Sequence, residues 1–270
     1  MWSCPICSMP LRQTEGVFRC PANHCFDVSK HGYVHLLPSN RMHGKMPGDN
    51  KLMVQARRRF LQEGYYTPLA DAVAACAVQY VREGDLLDIG CGEGYYTHHI
   101  EQALQSHETE VSCYGLDISK YAIEKAARSY PAIRFAVASA FRIPMASESC
   151  AGAINLFAPF CGEEIIRILK HGGYLIMAVP GTDHLWELKN ALYDRPYRNE
   201  VKPFELKGLD LIHEQHMQYR MQLPQQQTIQ DLFMMTPYYY KTGQEDQQKL
   251  LGYDTLDVTA EFHLLVYKRP

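Results

Sequence analysis

Four side chains able to bind a metal lie on two short turns near the start of the chain. Cys4-x-x-Cys7 forms one pair, and Cys20-x-x-x-His24 begins thirteen residues after Cys7. This spacing suits a structural Zn²⁺ site of the Cys3His kind, tetrahedral and closed. A module of about thirty residues cannot bury enough apolar surface to fold alone. Bound zinc contributes on the order of 10 to 16 kcal/mol of apparent folding energy in such peptides, so metal replaces core. His24 is the preferred fourth ligand, and Cys25 is the alternative, giving an all-sulfur site. A disulfide pair and free thiols are the competing readings, disfavoured by compartment and by the paired spacing. Cys76, Cys91, Cys113, Cys150 and Cys161 are scattered and read as buried small hydrophobes.

A second constellation is "LLDIGCGEGYYT", in which a strand ending at Asp88 and Ile89 runs through Gly90, Gly92 and Gly94 into a helix. Glycines there permit a tight turn and let the backbone approach a ligand. A dinucleotide fingerprint wants its third glycine three positions after the second, with a pyrophosphate on the helix N-terminus. Here the spacing is two, and Glu93 inside the loop with Asp88 before it would repel a phosphate. A cationic sulfonium with an amino-acid tail suits that field better. Asp117, closing the next strand in "YGLDIS", is placed to accept the two ribose hydroxyls of a nucleoside. A purely structural turn is the bland reading of a glycine loop taken alone.

The elements that must position these groups follow from periodicity. Residues 1–37 are turn-rich and cysteine-punctuated, 38–50 carry linker signals, and 51–270 form the main domain. Within that domain helical patterns ("PLADAVAACAVQYV", "YYTHHIEQALQ", "KYAIEKAARSY", "EEIIRILK") alternate with strand patterns ("DLLDIG", "EVSCYGLDI", "IRFAVASA", "CAGAINLFA", "GYLIMAV"). Such alternation implies a parallel sheet wrapped on both faces. After "WELKNALY", a helix, "LDLIHEQHMQYRMQL" and "TLDVTAEFHLLVYKR" read as a closing pair of strands with the helix "TIQDLFMMTP" between them.

Composition bounds the class. With 46% hydrophobic and 21% charged residues and no long apolar run, a bilayer span is excluded and a globular chain expected. The first thirty residues lack the pattern of a secretory signal, so thiols in a reducing compartment and a cytoplasmic location are expected. Residues 1–60 carry nine Lys and Arg against three Asp and Glu, and residues 61–270 carry 18 against 27. A front of +6 suits a polyanion, with a solvated basic linker as the bland alternative. Arg41, Lys45, Lys51, Arg57, Arg58 and Arg59 are the candidate phosphate contacts. For Arg57 to Arg59 the alternative is intramolecular salt bridges with the acidic main domain.

The D-x-G-x-G-x-G turn followed by an acid on the next strand resembles the Rossmann-like S-adenosylmethionine-dependent methyltransferases over residues 65–270, and "RILKHGGYLIMAVPG" strengthens the likeness. His171 stands where a proline is usual. With the zinc motif in front, "GYVHLLP" and "ARRRFLQEGYYTPL", nearly the whole chain resembles the bacterial 23S ribosomal RNA guanine-N1 methyltransferases. That resemblance implies a seven-stranded, mostly parallel sheet with a small N-terminal zinc-binding domain. It further implies one structural Zn²⁺ on Cys4, Cys7, Cys20 and His24, S-adenosylmethionine as cofactor, a homodimer, and a guanine in a hairpin of domain II of 23S rRNA as target. Carried onto this chain, the family's cofactor contacts fall on Gly92, Glu93 and Gly94, on Tyr66 and on His184, with Ala138 and Ser139 beside the adenine. Tyr66 and His184 have bland alternatives as packing and helix-entry residues.

No catalytic residue stands out. Asn155 in "INLFAPF" is the candidate for holding the target base, with Phe157 or Phe160 stacking on it unless they are core. Glu93 and Asp183 are weak candidates as acceptors of the guanine N1 proton. Methylation of another RNA or of a small molecule, and non-catalytic RNA binding by a vestigial cofactor fold, are the alternative functions.

Overall fold

The computed structural model describes residues 2–38 and 48–270. The front comprises a three-stranded antiparallel sheet of β1 (Arg12–Thr14), β2 (Val17–Arg19) and β3 (Cys25–Asp27), then β4 (Val34–His35). Helices α1 (Lys51–Gln62) and α2 (Thr67–Tyr80) lead into β5 (Glu83–Ile89), α3 (Tyr95–Ser106), β6 (Glu110–Asp117), α4 (Lys120–Ser129) and β7 (Arg134–Val137). Then come β8 (Cys150–Leu156), α5 (Gly162–Ile168), β9 (Leu169–Pro180) and α6 (Trp186–Leu192). The chain closes with β10 (Asp210–Leu223), α7 (Gln226–Met234), two short helices α8 (Tyr238–Lys241) and α9 (Gln244–Lys249), and β11 (Leu256–Lys268).

The main sheet has eight strands in the order β10-β11-β9-β8-β5-β6-β7-β4, where seven were expected. The eighth is β4, which comes from the front and pairs parallel with β7 through Val34↔Ala136 and His35↔Val137. A two-residue strand is too short to announce itself in sequence, yet it caps an otherwise open edge. Strands β4 to β9 run parallel, and β10 and β11 form the expected antiparallel pair, β11 docking on β9.

Alternation along β5 sends Leu86 into one apolar cluster and Leu87 and Ile89 into another. The first cluster is covered by helices, through Phe60, Leu69, Ile100, Ile123, Leu188 and Ile229. Helix α5 covers only part of the second, and the zinc-bearing segment supplies the rest. Trp2, Leu11, Val34 and Leu36 are buried there with Tyr114, Ala136 and Met145. Trp2 meets Tyr114 edge-on at 5.2 Å, and the Ser3 amide donates to Pro144 O at 2.8 Å. The second face is therefore wrapped by the front of the chain as well as by helix. Of residues 38–50, read as linker, 39–47 lie outside the described residues, as do Arg41 and Lys45. Asp49 and Asn50 are anchored: the Asp49 carbonyl accepts from Ser119 Oγ at 2.7 Å, and the Asn50 side chain caps α1 by accepting from the amides of Leu52 and Met53.

Candidate zinc and cofactor sites

The two turns of the front bring Cys4, Cys7, Cys20 and His24 together, with all four ligand atoms within 4.8 Å of one another. Cys7 Sγ lies 3.6 Å from Cys20 Sγ, and His24 Nδ1 lies 3.5 Å from Cys4 Sγ and 3.3 Å from Cys20 Sγ. A zinc tetrahedron with bonds of about 2.3 Å to sulfur and about 2.0 Å to nitrogen has edges of about 3.8 and 3.5 Å. The donor set fits zinc, and these residues hold one structural ion. The neighbouring Cys25 is exposed, and its thiol donates to Asn23 O at 3.3 Å, away from the cluster. His24 completes the set because the backbone turn that pairs Cys20 N with His24 O points the next side chain outward.

At the carboxyl ends of β5 and β6 the glycine loop and Asp117 meet. Gly90, Gly92 and Gly94 all have positive φ. At Gly90 a Cβ would stand 2.3 Å from that of Ala158, so the loop after β8 lies directly against it. The Gly92 and Ser119 amides donate to the Asp117 carboxylate at 3.0 and 2.7 Å. Asp88 accepts from Thr97 Oγ at 2.6 Å. Glu93 is buried and paired with Arg58 at 3.1 Å through one oxygen, while its other oxygen has no partner among the described residues. Burial raises all three carboxyls, Asp88 to about 7 with Asp117 adding repulsion. Three desolvated acids thus surround one loop, a field that a cation relieves, with Arg58 on Glu93 offsetting part of it. Ser139 follows β7 beside Asp117, its hydroxyl accepting from the Phe141 amide, and the Ala138 amide donates to Asp117 O at 3.0 Å.

Next to the loop stands an aromatic wall. Phe157, just past β8 and half exposed, is held at φ 59° and lies 6.5 Å from Tyr66, 6.5 Å from Tyr96 and 5.6 Å from Phe262. His184 is 4.6 Å from Phe262 and 6.4 Å from Tyr66. Burial lowers its pKa to about 3, and the Glu261 amide donates to its Nδ1 at 3.3 Å, so the neutral ring carries its proton on Nε2. Asn155 is buried, and among the described residues its Nδ2 has no partner, as is true of the Tyr96 hydroxyl. Glu93, Tyr96 and Asn155 thus each carry a buried polar atom left unsatisfied among the described residues, a state that a native structure rarely keeps without a ligand or water to bond it. Phe160 is exposed nearby in sequence but joins no described ring pair, and Asp183 pairs with Arg198.

Sequence reasoning missed Tyr96, Thr97, Glu261 and Phe262. Tyr96 and Thr97 are legible as the first turn after the glycine loop. Glu261 and Phe262 come from a strand far along the chain and carry no local signal.

The arginine run is committed internally. Arg57 pairs with Asp49, Arg58 with Glu93, and Arg59 makes a bidentate pair with Asp231 at 2.6 and 2.8 Å. Arg57 also overlies the glycine loop, its Nη1 3.7 Å from where a Gly92 Cβ would be. Lys51 is exposed in the first turn of α1.

Comparisons with known proteins agree with this geometry. The zinc-ribbon family described as "RlmA, N-terminal" matches residues 2–45, and a family described as "Methyltransferase domain" matches residues 82–234. A Streptomyces fradiae protein named 23S rRNA (guanine(748)-N(1))-methyltransferase is 39% identical over 70% of this chain, which covers 66% of that protein. A Micromonospora griseorubida protein, provisionally named a 23S rRNA (guanine-N(1)-)-methyltransferase, is 36% identical over 70% of this chain and 68% of its own length. A Bacillus subtilis relative with the same provisional name is 29% identical over 98% of this chain and 96% of its own. Among solved structures, YcgJ of Bacillus subtilis superposes with a TM-score of 0.50 at 16% identity, covering 73% of this chain and 98% of its own, which bears on the fold alone. Cys3His ribbon, acid-lined glycine loop and relatives converge: the chain belongs to the 23S rRNA (guanine-N1)-methyltransferase family.

Proposed function

We propose that the chain methylates N1 of one guanine in a domain II hairpin of 23S rRNA, using S-adenosylmethionine. The observation that carries this reading is the juxtaposition of three desolvated acids around the glycine loop with an aromatic wall that presents Phe157 to solvent and with the orphaned amide of Asn155. Tyr66, Asp88, Gly90, Gly92, Glu93, Gly94, Asp117, Ser139 and His184 hold the cofactor. When bound, S-adenosylmethionine supplies a methyl group on a cationic sulfur. Asp88 and Glu93 balance that charge, and Asp117 takes the ribose hydroxyls on the lone pairs its two amide donors leave open. Asn155 donates to an acceptor on the guanine edge while Phe157 stacks on its face. Glu93 retains an oxygen free to take the N1 proton, and alignment supplies most of the acceleration.

The guanine must leave its stack, so a hairpin loop is the favoured substrate. Arg41, Lys45, Lys51 and Arg57 to Arg59 meet phosphates, the last three by exchanging their carboxylate partners. A homodimer and a cytoplasmic location belong to the same reading. Support for the dimer comes from β10, an edge strand of 14 residues, mostly exposed. Among the described residues no helix is long and apolar enough to cross a membrane.

The decisive assay incubates the protein and cofactor with rRNA from a strain lacking the modification and maps reverse-transcriptase stops, since N1 methylation blocks pairing. A single stop at one guanine of the hairpin is expected, and no stop in 23S rRNA overturns the reading. In single-turnover form, Asn155→Ala is expected to slow transfer roughly a hundredfold, the cost of one well-placed donor, with cofactor affinity kept. Unchanged turnover removes Asn155 from the base pocket.

A pH dependence follows from Asp88. Its folded-state pKa of about 7 exceeds the ordinary 3.8, so its contribution to stability is complete below pH ~4 and is lost as pH rises through ~7. A cation favours the ionised form, so cofactor affinity should rise with pH below 7, approaching tenfold per unit, and then level off. Calorimetry of wild type and Asp88→Asn from pH 5.5 to 8.5 checks this. A wild-type profile as flat as that of the variant removes Asp88 from the cation's field.

A further inference from the structure

We propose a second metal site, for a borderline divalent ion such as Zn²⁺, formed by His216, Glu261 and His263 on the β10–β11 pair. His216 and His263 are direct cross-strand partners, and Glu261 is two residues from His263 on the same face. One ligand atom from each lies within 4.8 Å of the others. His216 Nε2 is 2.8 Å from Glu261 Oε1. Tetrahedral zinc with bonds of about 2.0 Å needs nitrogen–oxygen edges of about 3.3 Å, which these separations bracket, so small side-chain rotations admit an ion.

The surroundings are those of ligands held in place. His263 Nδ1 is 3.2 Å from Glu214 Oε1. With that nitrogen donating to the carboxylate, Nε2 keeps its lone pair for a metal, the arrangement that commonly orients metal-binding imidazoles. Phe204 packs on the His263 ring at 5.0 Å. Glu261 is buried, and its second oxygen accepts from the Asp183 amide at 2.5 Å, leaving Oε1 toward the histidines. A Cβ at Gly181 would come within 2.5 Å of the Glu261 carboxyl carbon, so a glycine makes room for this side chain. Two imidazoles and one carboxylate select zinc, cobalt or nickel over magnesium, with water completing the shell on the exposed side of His216. Glu261 also binds the segment carrying Asp183 and His184, so an ion here braces the strand pair against one wall of the cofactor site.

Titration of the full chain, retaining its Cys3His zinc, with Co²⁺ tests the site. One further equivalent is expected, with weak d–d absorption and no thiolate-to-cobalt charge transfer, which separates it from exchange into the cysteine cluster. His216→Ala with His263→Ala should abolish that equivalent while zinc content and melting temperature in the absence of added metal stay those of wild type. Glu214→Gln, which touches the ion only through His263, should weaken it about tenfold. Absence of the extra equivalent in wild type, its persistence in the double variant, or thiolate charge transfer in its spectrum overturns the proposal. Transfer of methyl to rRNA is not part of the readout, so failure here leaves the methylation assay untouched.

Discussion

Gly90→Ala is expected to lose roughly 2 to 5 kcal/mol of stability and to bind S-adenosylmethionine at least a hundredfold more weakly, whereas Gly172→Ala should lose only about 1 to 2 kcal/mol. The two glycines have nearly the same backbone, φ 79° and 77°. An alanine at either site meets the left-handed penalty of about 1 to 2 kcal/mol. They differ in space. At Gly172 nothing lies within 4 Å of an added Cβ, but at Gly90 it would stand 2.3 Å from Ala158 Cβ. Relief requires the cofactor loop and the loop bearing Phe157 to separate, adding roughly 1 to 3 kcal/mol of overpacking. That same movement pulls apart the acid-lined loop and the aromatic wall, hence the large loss of affinity. Thermal unfolding and calorimetry on both variants decide the matter. Equal stability losses, or native affinity in Gly90→Ala, would show that the contact is not restrictive.

Stripping zinc, or replacing Cys20 by Ala, should unfold the front and expose the edge of the main sheet. The ion accounts for on the order of 10 kcal/mol of folding energy in isolated ribbons of this kind, and part of that is offset here because the front also buries Trp2, Leu11, Val34 and Leu36 on the sheet. Trp2 is 2% exposed, and Trp186 is the other tryptophan of the chain. In a Trp186→Phe background, therefore, fluorescence reports on Trp2 alone. Chelation is expected to red-shift its emission and to speed amide exchange in β7, whose edge β4 no longer covers. Cys25→Ala should leave both signals and the zinc content unchanged. Retained blue emission after complete metal loss would mean that apolar packing alone holds the front.

Residue types and spacing carried much of this protein. The ligand pairs Cys4/Cys7 and Cys20/His24, the turn from Asp88 to Gly94 and the acid at Asp117 are local: each set spans a single turn or a fixed step along consecutive elements, so steric and electrostatic demands alone predict the ligand class. The alternation of helix and strand likewise follows from side-chain period, and the thirteen patterned stretches from "PLADAVAACAVQYV" to "TLDVTAEFHLLVYKR" all find their element. The "HGG" turn differs in detail, since β9 begins at Leu169 and accommodates Gly172 and Gly173 in an irregularity against β8.

What periodicity could not reach was which distant groups meet. The choice between His24 and Cys25 turned on the direction of one side chain after Cys20. Arg57 to Arg59 found carboxylates at Asp49, Glu93 and Asp231, the last 172 positions away. Val34 and His35 became an edge strand because β7 offered unpaired backbone and helix covered only part of the second sheet face. Glu261 and Phe262 reached His184 only through the antiparallel docking of β11 on β9. The sequence by itself determined the local chemistry, the glycine turn, its acids and the zinc ligands. The tertiary structure decided pairings across the sheet, because these depend on topology and on which apolar faces remain to be buried, neither of which leaves a periodic trace along the chain.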